Sequence, residues 1–361
     1  MGRRELRLFR SRSIGLDIDH GSLKAVEVSQ GRGAYTLHHV GYRRLPREAI
    51  AGGEVADAEL LASELREFWG THSFGSRSVY LGVANNRVVV RLINLPRMEE
   101  KDLQGAIRFE AQDHIPMPVD ETVLDYVVLG PSPDEELDRI LLVAAHREMV
   151  SAFSSAVRAA GLRPAGVDVK SLCLLRSMLP PSLFDDEGAT LLLDVSAETT
   201  SLVISQGAAP TVTRFIPGGA ESFLAAAAEA AGISAEEAEE RVFDLDLAGD
   251  PEETTEQPAG RRGVREGLEE AVQLLAEDVR RSIDYHNQQP FASEVDRGFV
   301  SGEGSMIPGF ERYLEGVLGI PVHRGRPLEK IEQNGSNVSD EDLRAMEPVL
   351  SVAMGLAFEE A

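Results

Sequence analysis

The sequence predicts an α/β protein built from two related lobes, and three observations carry that expectation. A small device occurs twice. Ser13-Ile14-Gly15-Leu16-Asp17-Ile18 passes through Asp19-His20-Gly21-Ser22 into Leu23-Lys24-Ala25-Val26-Glu27-Val28, and the plan returns as Leu191 to Val195, Ser196-Ala197-Glu198-Thr199 and Thr200 to Ile204. Each copy is an apolar strand ending in an aspartate, a short polar turn and a second strand, which is the pattern of a β-hairpin. Further on, Arg297 to Ser301, Gly302-Glu303-Gly304-Ser305 and the amphipathic stretch Phe310 to Leu318 behind Pro308 read as strand, glycine-rich loop and helix. A mixed block of strands and helices separates the two hairpins.

The chain opens with Arg3, Arg4, Arg7, Arg10 and Arg12 interleaved with Leu6, Leu8 and Phe9. This is either a plain leader or a segment suited to an anionic membrane face. Residues 13–44 give three strands, the third around Tyr35 to Tyr42. Residues 46–165 follow with a helix near Ala58 to Trp69, strands at Ser78 to Val83 and Val88 to Ile93, and a helix from Lys101 to His114 ended by Pro116. Strands near Leu124 to Leu129 and Arg139 to Ala144 and a helix at Arg147 to Ala160 complete it. That mixture predicts one compact α+β module. The second lobe repeats the three-strand opening over residues 191–216, with its third strand at Pro210 to Ile216, and Gly218-Gly219 then leads into a helix with Phe223 and Leu224. Ala248 to Gly263, acidic around Asp250 to Glu253, is expected to be a surface loop. The next helix buries Leu268, Val272, Leu275, Val279 and Ile283 at helical spacing, with Glu277 and Arg281 as an exposed i,i+4 pair.

Composition narrows the functional classes. A chain of 361 residues supports two or three compact units. Its net charge of −24 argues against nonspecific nucleic-acid binding, which needs concentrated Lys and Arg to neutralise phosphates. No apolar run approaches the roughly 18 residues that span a bilayer, and the start lacks a signal-peptide core, so a cytoplasmic location is expected. Cys173 is the one cysteine, in the apolar setting Leu172 to Leu175, and reads as a buried thiol.

Tight turns of the observed kind present backbone N–H groups and hydroxyls to an anion, and an aspartate at each strand end can hold a hydrated divalent cation. Asp17 and Asp194 are therefore the candidate ligands, through water, for Mg2+. Catalytic signatures are missing: there is no Gly-Lys-Ser/Thr phosphate loop, zinc helix or nucleophile elbow. His38-His39 sits on a strand, where neighbours face opposite ways. Glu198 and Asp168 are the acidic residues to examine for orienting water, with Asp168 also readable as a core-edge residue. No catalytic residue is assigned, and turnover is expected to be weak or absent.

At this point the residues resemble a family. Leu95-Pro96-Arg97-Met98-Glu99-Glu100-Lys101-Asp102-Leu103, Ile115-Pro116-Met117-Pro118 and Val123-Leu124-Asp125-Tyr126 are similar to PilM, the actin-like cytoplasmic family of type IV pilus assembly. Ala160 to Pro164, Val167-Asp168-Val169, Arg280 to Tyr285, Ile307 to Phe310 and Val352 to Ala357 extend the likeness over nearly the whole chain. The resemblance implies an actin-like ATPase fold: two ribonuclease-H-like lobes with an inserted α+β subdomain like that of the division protein FtsA. Residues 1–45, 165–190 and 340–361 would form the first lobe, 46–164 the insertion and 191–339 the second lobe. ATP or ADP with Mg2+ is the implied cofactor. Its implied contacts are Asp17, Asp19, His20, Gly21, Ser22 and Lys24 at the first hairpin, and Asp194, Ser196, Thr199 and Thr200 at the second. Gly218 and Gly219 precede the following helix, Asp278 and Arg281 flank the adenosine, and Gly302, Glu303, Gly304 and Ser305 form the loop.

The implied role is a nucleotide-binding scaffold that recruits the cytoplasmic N-terminal segment of a PilN-like inner-membrane protein, with Leu92 to Ile115 as the region to inspect. Other pilus components, a homo-oligomer and peripheral membrane contact through partners belong to the same expectation. Two departures bear on it. Asp19-His20 stands where Gly-Ser is common, placing a carboxylate where it repels a phosphate, and Ser196 replaces a usual glycine. A kinase of the same superfamily and an FtsA-like filament are the alternatives. The end at Gly355 to Ala361, without a basic amphipathic anchor, weakens the second.

Overall fold

The computed structural model describes residues 12–31, 34–132, 136–249, 259–290 and 292–358. The arginine-rich stretch ahead of Arg12 and the acidic centre at residues 250–258 lie outside them. Strands β1 (Arg12–Asp19), β2 (Ser22–Gln30) and β3 (Tyr35–Arg44) form the first meander. The short pair β4 (Ile50–Ala51) and β5 (Glu54–Val55) leads to helix α1 (Ala58–Thr71), whose first turn is capped by Asp57 accepting from the Glu59 and Leu60 amides. Next come β6 (Ser78–Val83), β7 (Val88–Pro96), α2 (Glu100–His114), β8 (Thr122–Pro131), β9 (Leu137–His146), α3 (Arg147–Ala159), β10 (Arg163–Val169) and α4 (Lys170–Met178). The second half runs β11 (Ala189–Val195), β12 (Thr199–Gln206), β13 (Ala209–Pro217), α5 (Ala220–Ala231), α6 (Ala235–Phe243), α7 (Ala259–Asn287), β14 (Val295–Ser301), α8 (Phe310–Leu318), β15 (Val322–Arg324), β16 (Ile331–Asn334), α9 (Asp340–Met346) and α10 (Ser351–Ala357).

Two sheets carry the lobes, in the orders β10-β6-β1-β2-β3-β16 and β13-β12-β11-β14-β15. In both, the first strand of a meander pairs antiparallel with its hairpin mate and parallel with a later strand, β6 in one lobe and β14 in the other. The duplicated sequence device is thus a duplicated sheet plan. Helix α10 backs the first sheet at very short range. A Cβ on Gly15 would meet the Ala353 carbonyl at 2.0 Å, and one on Gly355 would meet the Cys173 carbonyl at 2.1 Å, so these glycines are the packing surface between strand and helices. Cys173 is fully buried there, as its apolar setting predicts.

The sheets draw the boundaries differently from the sequence reading. Ser78–Val83 pairs with β1 and with β10, and α1 and α3 share one core with that sheet through Leu61, Leu65, Phe68, Phe153 and Val157. The inserted module is therefore only β7, α2, β8 and β9, a three-stranded sheet in the order β7-β9-β8 covered by α2 through Leu103, Ile107 and Ala111. Strand β16 likewise returns to the first sheet, beside β3. Parallel pairing between distant strands leaves no local signature, which is why a buried run such as Ser78–Val83 reads the same in either unit. Two smaller corrections concern α7. Residues 259–263, assigned to the loop, are helical, because Gly263 and Gly267 let α7 press on the Ala230 and Ala226 carbonyls of α5. Arg281 pairs with Asp278 at 2.8 Å, one turn back, rather than with Glu277.

Candidate functional site

Side chains at i and i+2 of a strand share a face, and directly opposed residues of a hairpin share it too. In β1 and β2 the register sets Asp17 opposite Lys24 and Asp19 opposite Ser22, so both aspartates and the lysine crowd one face. Gly21, at φ +76°, makes the turn between them. Helix α4 starts one residue beyond β10 and delivers Lys170 to the same spot. The Lys170 ammonium lies 2.8 Å from Asp17 Oδ1 and 3.6 Å from Asp19 Oδ1, and donates to the Ile18 carbonyl at 3.1 Å. Lys24 lies 3.6 Å from Asp17 Oδ2, 3.7 Å from Asp19 Oδ2 and 2.8 Å from Glu303 Oε1, which comes from the second lobe. Asp17, Asp19, Lys24 and Lys170 are all buried, Lys24 at 1% exposure.

Burial alone would neutralise Asp19, Lys24 and Lys170, and pairing overrides it. Burial pushes the Asp19 carboxyl up, yet Lys170 and then Lys24 bring it down to about 2. Burial pulls Lys24 down, and Glu303, Asp17 and Asp19 raise it well above the usual lysine range. Lys170 is raised in the same way by Asp17 and Asp19.

The second hairpin treats its aspartate otherwise. Asp194 accepts from the Ser301 hydroxyl at 2.7 Å and from the Ser196 hydroxyl at 2.9 Å, and burial pushes its carboxyl up to about 6 against those bonds and the more distant Lys24. Around the rim, His20 stands 3.4 Å from Glu221 and 3.6 Å from Glu198, Arg47 pairs with Glu221 at 3.0 Å, and Glu198 accepts the Gly52 amide at 2.9 Å. These contacts all cross from the first lobe to the second. Glu198 is thus a clasp, while Asp168 accepts from Arg176 and sits at the core edge.

Four backbone donors around the cleft are engaged by the protein itself. The Ala220 amide donates to Ser196 at 2.9 Å, that of Glu221 to Ala197 at 2.8 Å, that of Gly218 to Glu198 at 3.1 Å and that of Gly302 to Pro348 at 2.8 Å. Thr200 donates its hydroxyl to the Gly218 carbonyl and Ser305 to that of Gly302. The glycines serve close approach. A Cβ on Gly219 would lie 2.2 Å from the Ser196 carbonyl, one on Gly302 2.4 Å from that of Val195, and one on Gly304 2.4 Å from the Val195 side chain. The space left beside Asp19, Lys170, Ser196 and Thr199 is about 10 Å³, room for about one water. Among the described residues no group of three or more His, Cys, Asp or Glu side chains is arranged to hold a metal ion. A separate groove of about 640 Å³ opens behind Gly218 and Ser222, bordered by Glu270, Leu274 and Asp278. Asp278 therefore reaches a cavity of nucleoside size, whereas the exposed Arg281 reaches it only through Asp278.

The structure gathers fifteen of the sequence-selected residues in or beside the cleft; Gly218 and Asp278 border the groove, and Arg281 stands outside it. It adds Lys170, which the sequence reading missed. The signal was there: a lysine heading the otherwise apolar stretch Ser171-Leu172-Cys173-Leu174-Leu175.

The family model of the type IV pilus assembly protein PilM matches residues 15–361. A solved PilM-PilN type IV pilus biogenesis complex contains a chain 28% identical, with 97% of this chain and 99% of that one covered and a TM-score of 0.83. The ethanolamine utilization protein EutJ from Carboxydothermus hydrogenoformans is 14% identical over 97% of this chain and 90% of its own, with a TM-score of 0.57. MreB5 of Spiroplasma citri, in a structure bound to ADP, is 12% identical over 95% and 94%, with a TM-score of 0.54. At those identities the last two speak to fold alone.

Proposed function

This chain belongs to the PilM family of type IV pilus assembly proteins, and on that premise we propose that it is an actin-like scaffold holding the N-terminal segment of a PilN-like inner-membrane protein. The observation that carries the docking site is the inserted module's end strand. Leu124 and Tyr126 of β8 turn toward the module's core, while Val123 and Val127 alternate with them and are 41% and 54% exposed, with Val128 at 46%. An end strand that exposes Val123 and Val127 on either side of Asp125 suits an extended segment that adds backbone hydrogen bonds and fills side-chain positions. The stretch from Leu92 to Ile115 contributes less than its sequence suggests. Ile93, Leu95, Leu103, Ile107, Ala111 and Ile115 are core, and Phe109 is the large apolar side chain left outside, 67% exposed.

Among the described residues no helix is long and apolar enough to cross a membrane, so attachment through the partner's membrane segment accounts best for work at the inner membrane. The groove beside Gly218 and Asp278 is the proposed seat of the nucleoside of ATP or ADP. Binding rather than turnover fits a site where the acidic residues are held by lysines, arginine and a histidine. Calorimetric titration with a synthetic N-terminal segment of the PilN-like partner tests the docking site. Val127→Glu is expected to weaken binding at least about tenfold, roughly 1.4 kcal/mol, without moving the unfolding midpoint. Unchanged affinity would remove β8 from the proposal.

A further inference from the structure

Between the lobes, three buried or half-buried carboxylates, Asp17, Asp19 and Glu303, converge on two buried ammonium groups. Carboxylates brought together out of water need a counter-charge, and in a nucleotide cleft a divalent cation supplies it. Here the chain supplies it covalently. Lys170 holds the two aspartates from beneath, through α4, and Lys24 joins them to Glu303 of the other lobe at 2.8 Å. A hydrated divalent ion placed among the same oxygens would have to displace ammonium groups already paired with them, Lys170 from Asp17 and Lys24 from Glu303.

We propose that Lys24 and Lys170 are built-in counterions that close the interlobe cleft in place of a divalent metal, so that closure requires no Mg2+ and any nucleotide is bound without it. Asp19 is the residue that makes the arrangement necessary. Its carboxylate adds a charge at the phosphate turn, and Lys170 is positioned to meet it. The His20, Arg47 and Gly52 contacts to Glu198 and Glu221 reinforce the same closure from the rim.

The test uses the full chain and Mg2+ alone before any nucleotide. The wild-type protein is expected to unfold at the same temperature in EDTA and in millimolar MgCl2, with no calorimetric signal on Mg2+ titration. Lys170→Gln is expected to lower that temperature by about 3–8 °C and to become Mg2+-responsive, because an acidic pocket without its ammonium group attracts the ion. If that variant does not fold, Glu303→Gln, at a half-buried position, is expected to raise amide exchange at Ala220, Glu221 and Gly302 while leaving the β7-β9-β8 sheet protected. Sub-millimolar Mg2+ binding by the wild type, or Glu303→Gln exchange identical to wild type, would overturn the proposal. Titration of the PilN-like segment in EDTA separates the two ideas: retained peptide binding with Mg2+-dependent closure leaves the scaffold standing and removes the counterion pair alone.

Discussion

The two hairpins begin as copies and end as opposites. Across from Asp17 the register places Lys24, and across from Asp194 it places Ser201, with Ser301 on the other side. The first carboxylate lies between two ammonium groups, Lys24 at 3.6 Å and Lys170 at 2.8 Å. The second is held by hydroxyls and moves up to about 6. One local sequence device thus solves the burial of an aspartate in two ways, and the difference teaches that the partner across the strand, not the motif, sets the chemistry.

Removing the ammonium group is the strongest way to break the contrast. Lys24→Met leaves three carboxylates facing one remaining lysine in a site excluded from water, a change expected to cost about 3–5 kcal/mol. The drop should appear as a lower urea midpoint with an unchanged slope. A loss under about 1 kcal/mol would mean that water reaches the cluster.

Acid and base separate the two lobes next. Asp19 has a depressed carboxyl, so its stabilisation is complete above about pH 4 and fades as the pH falls through about 2. Asp194 has a raised one. Its protonated form favours the fold below about pH 4, and that contribution is lost as the pH climbs from there through about 6. Asp194→Asn is therefore expected to stabilise the protein at pH 8 by up to about 2–3 kcal/mol and to flatten the slope of stability between pH 4 and 6. Denaturation across pH 3 to 8 checks both limbs, and a slope unchanged in the variant would place that titration elsewhere.

Much of this fold was legible in local pattern, and the site only in part. The strand, turn and strand grammar of Ser13 to Val28 and of Leu191 to Ile204 marks both hairpins, because alternation and turn chemistry are local properties. The helices at α1, α2 and α3 lie within two residues of their periodicity-based limits. The extent of the insertion was not legible, since β6 and β10 pair with distant partners. Lys170 was missed for a related reason: it lies far from the hairpins in sequence and meets Asp17 only when β10, pairing with β6 beside β1, sets the first residue of α4 at the end of β1. Asp19 and His20 were visible as departures, but their consequence depended on that lysine and on Glu198 and Glu221 across the cleft.

The mildest probe sharpens the hydroxyl side of the comparison. Ser301 donates the shorter of the two bonds to Asp194, and a charge-assisted donor of this kind favours the ionised carboxylate. In Ser301→Ala burial loses its main opponent, so the Asp194 carboxyl should titrate higher still. Stability at pH 8, where the carboxylate is charged in the wild type, should fall by about 1–2 kcal/mol, while at pH 4, where it is protonated in both, the difference should nearly vanish. The Asp194 carboxyl carbon followed by NMR through that range reads the shift directly. An unmoved titration would assign the hold on Asp194 to Ser196 and to the field of Lys24, drawing the second hairpin closer to the first than its sequence suggests.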